Sequence, residues 1–515
     1  MVDAVCVTHR TGRVTACHGP CHAFRLGLLS RLLRGVTRHL AWGLAGAGPG
    51  AGLIMGVPVV RGLLAAVAGI ALVSLPIAAA PAGAASGDFT NTPLIATWSP
   101  PAGLSSSPIP NSSGNSEPAI AFGADGAMAV DGLAWLPYQV NLWKGRFGQT
   151  PSYFGAMDAN LQNKGRGRIT LGDGDADVEI TAAGTTLLAD LDFVVAPGGT
   201  YQLGVSVTRC PVGATGPDDC TTAFLDKAGS DREWITSRGS DVWVAYNDAK
   251  NSGMIRVKKS SDDGRTWKSS GSPLVGNGPV TAGGTFNDSL GPIVADPNSD
   301  ALYEAYMTGT PQSKCCSADY NQVFVARSTD GGAQWTSTRV YQAAAGTRLN
   351  NFWPAIAVDS LTGRVWVAWT DLHGVTVSSS PAGSGWTAPQ TVSTATTTVM
   401  PWVAARGGKV DIVYYGSQAS STDDEAAVWN TFDSQRSGGN WSVKLVSQTP
   451  NRVGPVCLEG SGCEGNRELL DLFEVAEDPI SGKAAVIYTD TTLNTWTGSD
   501  GETHQLPEIV LAFEQ

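Results

Sequence analysis

The chain has 515 residues, with 46 acidic against 34 basic side chains and a formal net charge of −12, and 42% of it is hydrophobic. That is enough chain and enough apolar content for a sizeable core. The acidity argues against nucleic acid and anionic membrane as partners, because binding phosphate needs the opposite field.

The first 84 residues read as processing sequence. From Met55 the run MGVPVVRGLLAAVAGIALVSLPIAAAPAGAAS has a basic start at Arg61, an apolar stretch and the small-residue site Ala82-Gly83-Ala84, the pattern of a secretory signal. Residues 1–54 show no repeating pattern and are read as an over-extended N-terminus, with a long n-region as the alternative. The signal is then 55–84. Seven basic residues and one acidic residue fall before residue 85, leaving 27 basic against 45 acidic in the exported product. No later apolar run approaches the roughly 18 to 20 residues of a membrane span. The expectation is a secreted monomer with no nucleic-acid partner and no membrane span.

Residues 85–116 form a mature N-terminal segment in which Leu94–Ser99 (LIATWS) is expected to lend a strand to the last repeat, followed by a solvated linker over 100–116. From Glu117 onward one phrase recurs: an apolar strand, a Gly, Asp or Asn turn, then a β-branched or aromatic strand. Copies open at Glu117, Ala176, Arg232, Gly291, Trp353, Met400 and Leu472. A period of roughly 50 to 60 residues, with no amphipathic helix, predicts an all-β, seven-bladed β-propeller over 117–515, with six blades as the alternative. Each blade alone has two apolar faces, which only its neighbours can cover.

In such a ring the inner strands begin at the mouth of the central channel, so the residues opening each repeat are expected to face one pocket. That register holds Glu117, Asp175 or Asp177, Asp231 with Arg232 and Glu233, Asp288, Asn350 or Asn351, and Arg467 with Glu468 and Asp471. Asp231, Glu233, Glu117 and Asp288 are the acid–base candidates, and Arg232, Arg467, Glu468 and Asp471 the substrate-binding ones. Strand alternation places Arg232 and Trp234 on one side and Asp231 and Glu233 on the other. The favoured reading makes Arg232 a carboxylate clamp beside Arg467, because a guanidinium grips a carboxylate as a fork. The plainer alternative is that these groups cap strand ends and pair across the channel. Asp173, Asp175 and Asp177 (DGDAD) space three carboxylates by two, as a loop around Ca²⁺ does, although the glycine and distal glutamate of an EF-hand are missing. A looser structural calcium site and a solvated turn are the two readings, and no other cofactor is required.

Six cysteines follow residue 84. The simplest pairing joins Cys210 to Cys220 and Cys457 to Cys463, among 15 connectivities, and adjacent Cys315 and Cys316 form a vicinal bridge or stay as thiols. A zinc site is disfavoured, since only His373 and His504 remain and both are distant from the cysteine pairs in sequence.

Two stretches, SSDDGRTW (260–267) and STDGGAQW (328–335), share Ser-x-Asp-x-Gly-x-x-Trp. The aspartate and glycine serve a tight turn, and the tryptophan folds back over it. The pattern resembles the Asp-box, or bacterial neuraminidase repeat, of sialidases and other propellers, where it sits on the rim away from the active centre. Together with GDGDADVEI, DREWIT and CLEGSGCEGNRELLDLFEVAEDP, it makes most of the mature chain similar to secreted sialidase-like propeller proteins labelled exo-α-sialidase. The resemblance implies a glycan-facing pocket and, for a sialidase, three arginines, a tyrosine–glutamate pair and an acid–base aspartate. The sequence departs from that pattern in lacking an Arg-Ile-Pro or Arg-Leu-Pro stretch before the first blade. Arg232, Arg348 and Arg467 are a substitute set, and Tyr414, Tyr415 and Tyr488 fall inside expected strands. The expected function is a glycosidase acting on terminal acidic sugars. The alternatives are a non-catalytic propeller that binds carbohydrate or protein, and another carboxylate-based hydrolase or lyase.

Overall fold

The computed structural model describes residues 88–97, 114–134, 139–157, 170–195, 201–227, 229–248, 254–274, 288–309, 320–344, 347–349, 353–460, 463, 465–497 and 501–515. The expected signal (55–84), the over-extended start (1–54), most of the 100–116 linker and Cys315-Cys316 lie outside the described residues.

Seven antiparallel sheets follow one another along the chain, each with at least four strands. Their inner strands are Asn115–Ser116 continued by Ile120–Phe122, then Thr170–Ile180, Ser230–Arg238, Asp288–Ala295, Ala355–Val358, Thr397–Arg406 and Glu474–Glu477. Each inner strand packs on the next, and the seventh packs back on the first. The protein is therefore an all-β, seven-bladed β-propeller, whose one helical piece among the described residues is a 3₁₀ turn at Pro217–Asp219. Apolar clusters fill the spaces between blades, such as Leu187 and Val205 against Ile235 and Val244 between blades 2 and 3. Fully burying each such aliphatic side chain is worth about 1.5–3 kcal/mol, and only the stacked arrangement achieves it.

The ring closes through strand exchange, although not with the strand expected. Phe89–Pro93, rather than Leu94–Ser99, pairs with the C-terminal strand, from Phe89 opposite Glu514 to Pro93 opposite Val510. Leu94 adds one backbone bond to Ile509 O (3.0 Å). Phe89 sets the register by burying its ring between blades 6 and 7, and Pro93, which has no N–H to donate, ends the strand. The linker reading is corrected at its end too: Asn115 and Ser116 are buried and pair with Leu133 and Ala134.

Most inner strands begin with an irregularity. Blade 1 is interrupted between Ser116 and Ile120, and the ladder slips between Asp173 and Ala176, Asp231 and Glu233, Leu290 and Ile293, and Val399 and Trp402. Pro118, Pro292 and Pro401 sit in three of these breaks, where a missing N–H leaves no ladder bond unmade. Glu117, Arg232 and Met400 take φ of 52°, 52° and 53° there. This corrects two expectations. The DGDAD stretch is a bulged strand, not a loop. Asp231 and Glu233 pair with consecutive partners, Asn247 and Tyr246, so the extra residue sends them to opposite sides of the sheet.

The two eight-residue repeats lie at the other end of the blades, between the third and fourth strands of blades 3 and 4. Their wiring is the same. Ser260 Oγ and Ser328 Oγ accept from Gly264 N–H (3.0 Å) and Gly332 N–H (2.9 Å), and Trp267 and Trp335 donate their indole N–H to Gly264 O and Gly332 O.

Candidate functional site

The bulges aim side chains across the channel mouth. Arg232 of blade 3 donates to Glu117 of blade 1 (2.7 Å) and pairs with Asp175 of blade 2 (3.1 Å) and with Asp471, just before the inner strand of blade 7 (3.3 Å). Arg467 joins through Asp471 (2.8 Å). Five residues that the sequence places in the pocket thus meet in one network of three carboxylates and two guanidiniums.

The opposite half of the mouth is aromatic. The guanidinium of Arg232 lies 4.0 Å from the ring centre of Trp353 and 5.7 Å from that of Trp234. Trp234 also meets Trp353 (5.7 Å) and Trp402 (5.2 Å). Trp234 belongs to blade 3 and Trp402 to blade 6, so their contact spans the channel and makes an aromatic floor two residues below Arg232. The sequence places Trp234 on the side of Arg232 without giving it a role, and assigns neither Trp353 nor Trp402 to the site. The signal was available for Trp353, because Trp353-Pro354 and Met400-Pro401 open their repeats as Glu117-Pro118 does.

Burial, then the neighbouring Asp175, holds the Glu117 carboxyl well above the usual carboxylate range despite its bond to Arg232. Asp175 is raised as well, again by burial first. Arg232 and Arg467 are the reverse case: burial disfavours their charge, but the surrounding carboxylates outweigh it and raise both. Three buried polar atoms of this network have no hydrogen-bond partner among the described residues: Glu117 Oε2, Asp471 Oδ1 and Arg467 Nε. Such atoms are rare in folded proteins, and each calls for an explanation.

Glu233 is buried, and burial with Asp175 nearby raises its carboxyl well above the usual range. Glu468 turns to Arg452 (2.8 Å). Asp231 is half-buried on the inner strand of blade 3. Asp288 opens the inner strand of blade 4, but its side chain lies outside the described residues, as do that of Asp173 and residues Asn350 and Asn351. Asp177 accepts from Ile235 N–H (2.8 Å). Among the described residues no group of three or more His, Cys, Asp or Glu side chains is arranged to hold a metal ion. Arg348 is exposed on the segment between blades 4 and 5. Tyr414, Tyr415 and Tyr488 are buried between blades, with the Tyr415 hydroxyl accepting from Thr489 N–H (2.9 Å) and that of Tyr488 donating to Asn91 (3.0 Å).

Disulfides join Cys210 to Cys220 and Cys457 to Cys463. No helix among the described residues is long and apolar enough to cross a membrane.

The sequence matches no protein-family model and no curated protein. Among solved structures it is similar to a protein of unknown function from Dyadobacter fermentans, at 13% identity over 69% of this chain and 98% of that one, with a TM-score of 0.40. A PL25 ulvan lyase, a polysaccharide lyase, shares 11% identity over 77% and 93%, with a TM-score of 0.46. An α-L-arabinofuranosidase from Fusarium graminearum shares 11% over 64% and 94%, with a TM-score of 0.41. The latter two are carbohydrate-acting enzymes; the blade count here rests on the strand pairing.

Proposed function

We propose that the channel mouth is a glycan site of an exported protein, and that it acts on acidic sugars by carboxylate chemistry. The observation that carries this reading is the convergence of Glu117, Asp175, Asp471, Arg232 and the part-exposed Arg467 at the mouth, beside an aromatic wall. A sugar offers hydroxyl donors and acceptors on its edge and apolar C–H groups on its face, which suits such a divided site. Arg232 is saturated by three carboxylates, so Arg467, whose side chain keeps 26% of its exposure, is the better clamp for a substrate carboxylate. Glu117, whose burial favours its neutral form, is assigned as general acid, and Asp175 or Asp471 as the partner carboxylate. Disulfides and an acidic surface fit an exported protein. The narrower sialidase reading has less support, since two arginines rather than three meet here and the three tyrosines singled out from the sequence are in the core.

A second reading, a binding propeller without turnover, draws on the saturation of Arg232: a fully paired cation is what a structural hub would have. Screening the secreted protein on acidic oligosaccharides for release and for binding separates the two. Release abolished in Glu117→Gln with binding retained supports the hydrolase. Binding without release in the wild type, lost in Arg467→Ala, supports the binder, and neither release nor binding on any acidic glycan sinks both.

A further inference from the structure

Arg452 lies outside this network and is 2% exposed. Its guanidinium donates through Nε to Pro455 O (2.9 Å) and through Nη1 to Gln505 (3.2 Å), and Nη1 also pairs with Glu468 (2.8 Å). Nη2 donates to Asn466 Oδ1 (3.4 Å). A single buried cation therefore holds the residues on both sides of Arg467, and ties them to the hairpin of blade 7 through Gln505. The segment does not take its shape for free. Asn466 and Leu470, which flank the turn presenting Arg467, have φ of 58° and 55°, a region that L-residues rarely adopt. A second brace is covalent: Cys457 is bridged to Cys463, and its N–H donates to Asn466 O (2.9 Å).

We propose that Arg452 is the positioning residue of the mouth, and that the Cys457–Cys463 bridge makes presentation of Arg467 sensitive to thiol reductants. The choice of ligand rests on the glycan reading above; the mechanical claim does not. A dithiol delivers two electrons and two protons to the bridge, becomes a disulfide itself, and leaves two thiols on the chain. Asn466 then keeps only the Arg452 brace on its side chain, and the Arg467–Asp471 contact is no longer held from both directions. Replacing Arg452 with Lys keeps the charge, but one ammonium cannot span acceptors that a planar fork reaches together.

The test is hydrogen exchange of the amides from 466 to 472, read by mass spectrometry in the wild type, in Arg452→Lys and in the double variant Cys457→Ser/Cys463→Ser. The double variant leaves Cys210–Cys220 intact, and dithiothreitol on the wild type covers the case in which a variant fails to fold. Expected is exchange at least tenfold faster in that segment for each perturbation, with the inner strand Ser230–Arg238 unchanged. Unchanged exchange in the segment under all three perturbations overturns the proposal. In parallel, sialyllactose and tetragalacturonate are titrated, and a probe that the wild type binds should lose at least tenfold in affinity in Arg452→Lys. Unaltered affinity in that variant overturns the positioning role. If the wild type binds neither probe, the glycan reading fails for both sugars, while the exchange result still decides the role of Arg452.

Discussion

Two of the places where buried charge collects, the channel mouth and the seam between blades 6 and 7, are built differently. In the seam, Lys409 reaches Glu514 (2.7 Å) and Asp411 (3.0 Å), Lys444 reaches Glu514 (2.7 Å), and Gln435 bridges Asp411 and Glu514 (both 2.8 Å). Asp433 and Glu477 complete a set of four acids and two lysines. Burial raises Asp433 well above its usual range, and burial with Asp411 beside it pushes Glu477 up to about 11. The seam's residues come from regular strands of adjacent blades, and none has a positive φ. The charged network of the mouth draws on four blades, rests two of its groups on left-handed backbone, and leaves a buried donor, Arg467 Nε, unused. A surplus of buried acid is therefore a habit of this molecule that protons can satisfy. Strained backbone, convergence across the channel and an idle donor are what set the mouth apart.

The largest expected effect comes from removing the central cation. Arg232→Met leaves Glu117, Asp175 and Asp471 around an empty centre, and breaking a buried pair in this way costs about 3–5 kcal/mol. Lys409→Met removes a side chain with 20% exposure and leaves Lys444 on Glu514, so about 1–2 kcal/mol is expected. Urea unfolding of both variants checks the pair. Equal losses would show that the two clusters are mechanically alike.

The seam should instead reveal itself through pH. Above the ordinary carboxylate range, folded Glu477 keeps a proton that the unfolded chain has lost, so its stabilisation is complete at low pH and drains away as pH rises toward about 11. The slope is at most about 1.4 kcal/mol per pH unit for each proton held. Glu514 works in the opposite sense: its hydrogen bonds and the two lysines outweigh burial and hold it down to about 2, so its contribution is lost as pH falls below the usual range. Glu477→Gln should flatten the decline in melting temperature between pH 6 and 10 and leave the acid limb alone. An unchanged alkaline slope would mean that the proton resides elsewhere in the seam.

Much of this was legible in the sequence, and the failures have physical reasons. The seven repeat starts coincide with the seven blades because each inner strand needs an apolar run and each turn needs Gly, Asp or Asn. Glu117, Asp175, Arg232, Arg467 and Asp471 could be named because position before a repeat translates into position at the mouth. The side on which Glu233 falls could not, since one inserted residue reverses a strand's alternation. The closing strand was misplaced because Phe89–Pro93 (FTNTP) is polar enough to read as linker, and only pairing with the C-terminal strand makes it β. Trp402 was missed because a tryptophan in a strand reads as core, and its contact with Trp234, placed on Arg232's side by alternation, crosses the channel between blades far apart in sequence.

The smallest effect sharpens the comparison from the far end of the blades. Asp262 Oδ1 accepts from the amides of Arg265 (3.1 Å) and Thr266 (2.8 Å), and Asp330 Oδ1 from those of Ala333 (3.0 Å) and Gln334 (2.9 Å). Each carboxylate is satisfied locally, by its own turn, in contact with solvent that can replace a lost bond. Asp262→Ala and Asp330→Ala should therefore each cost about 1 kcal/mol, in the range of ordinary hydrogen bonds, and Asp262→Asn, which keeps an acceptor oxygen, should cost less. Neither alanine variant should alter affinity for any acidic glycan that Arg467→Ala weakens, because the turns lie at the opposite end of the channel from the mouth. A tenfold affinity loss from Asp262→Ala, with stability preserved, would place ligand recognition on the turn face and remove the channel mouth's claim to it.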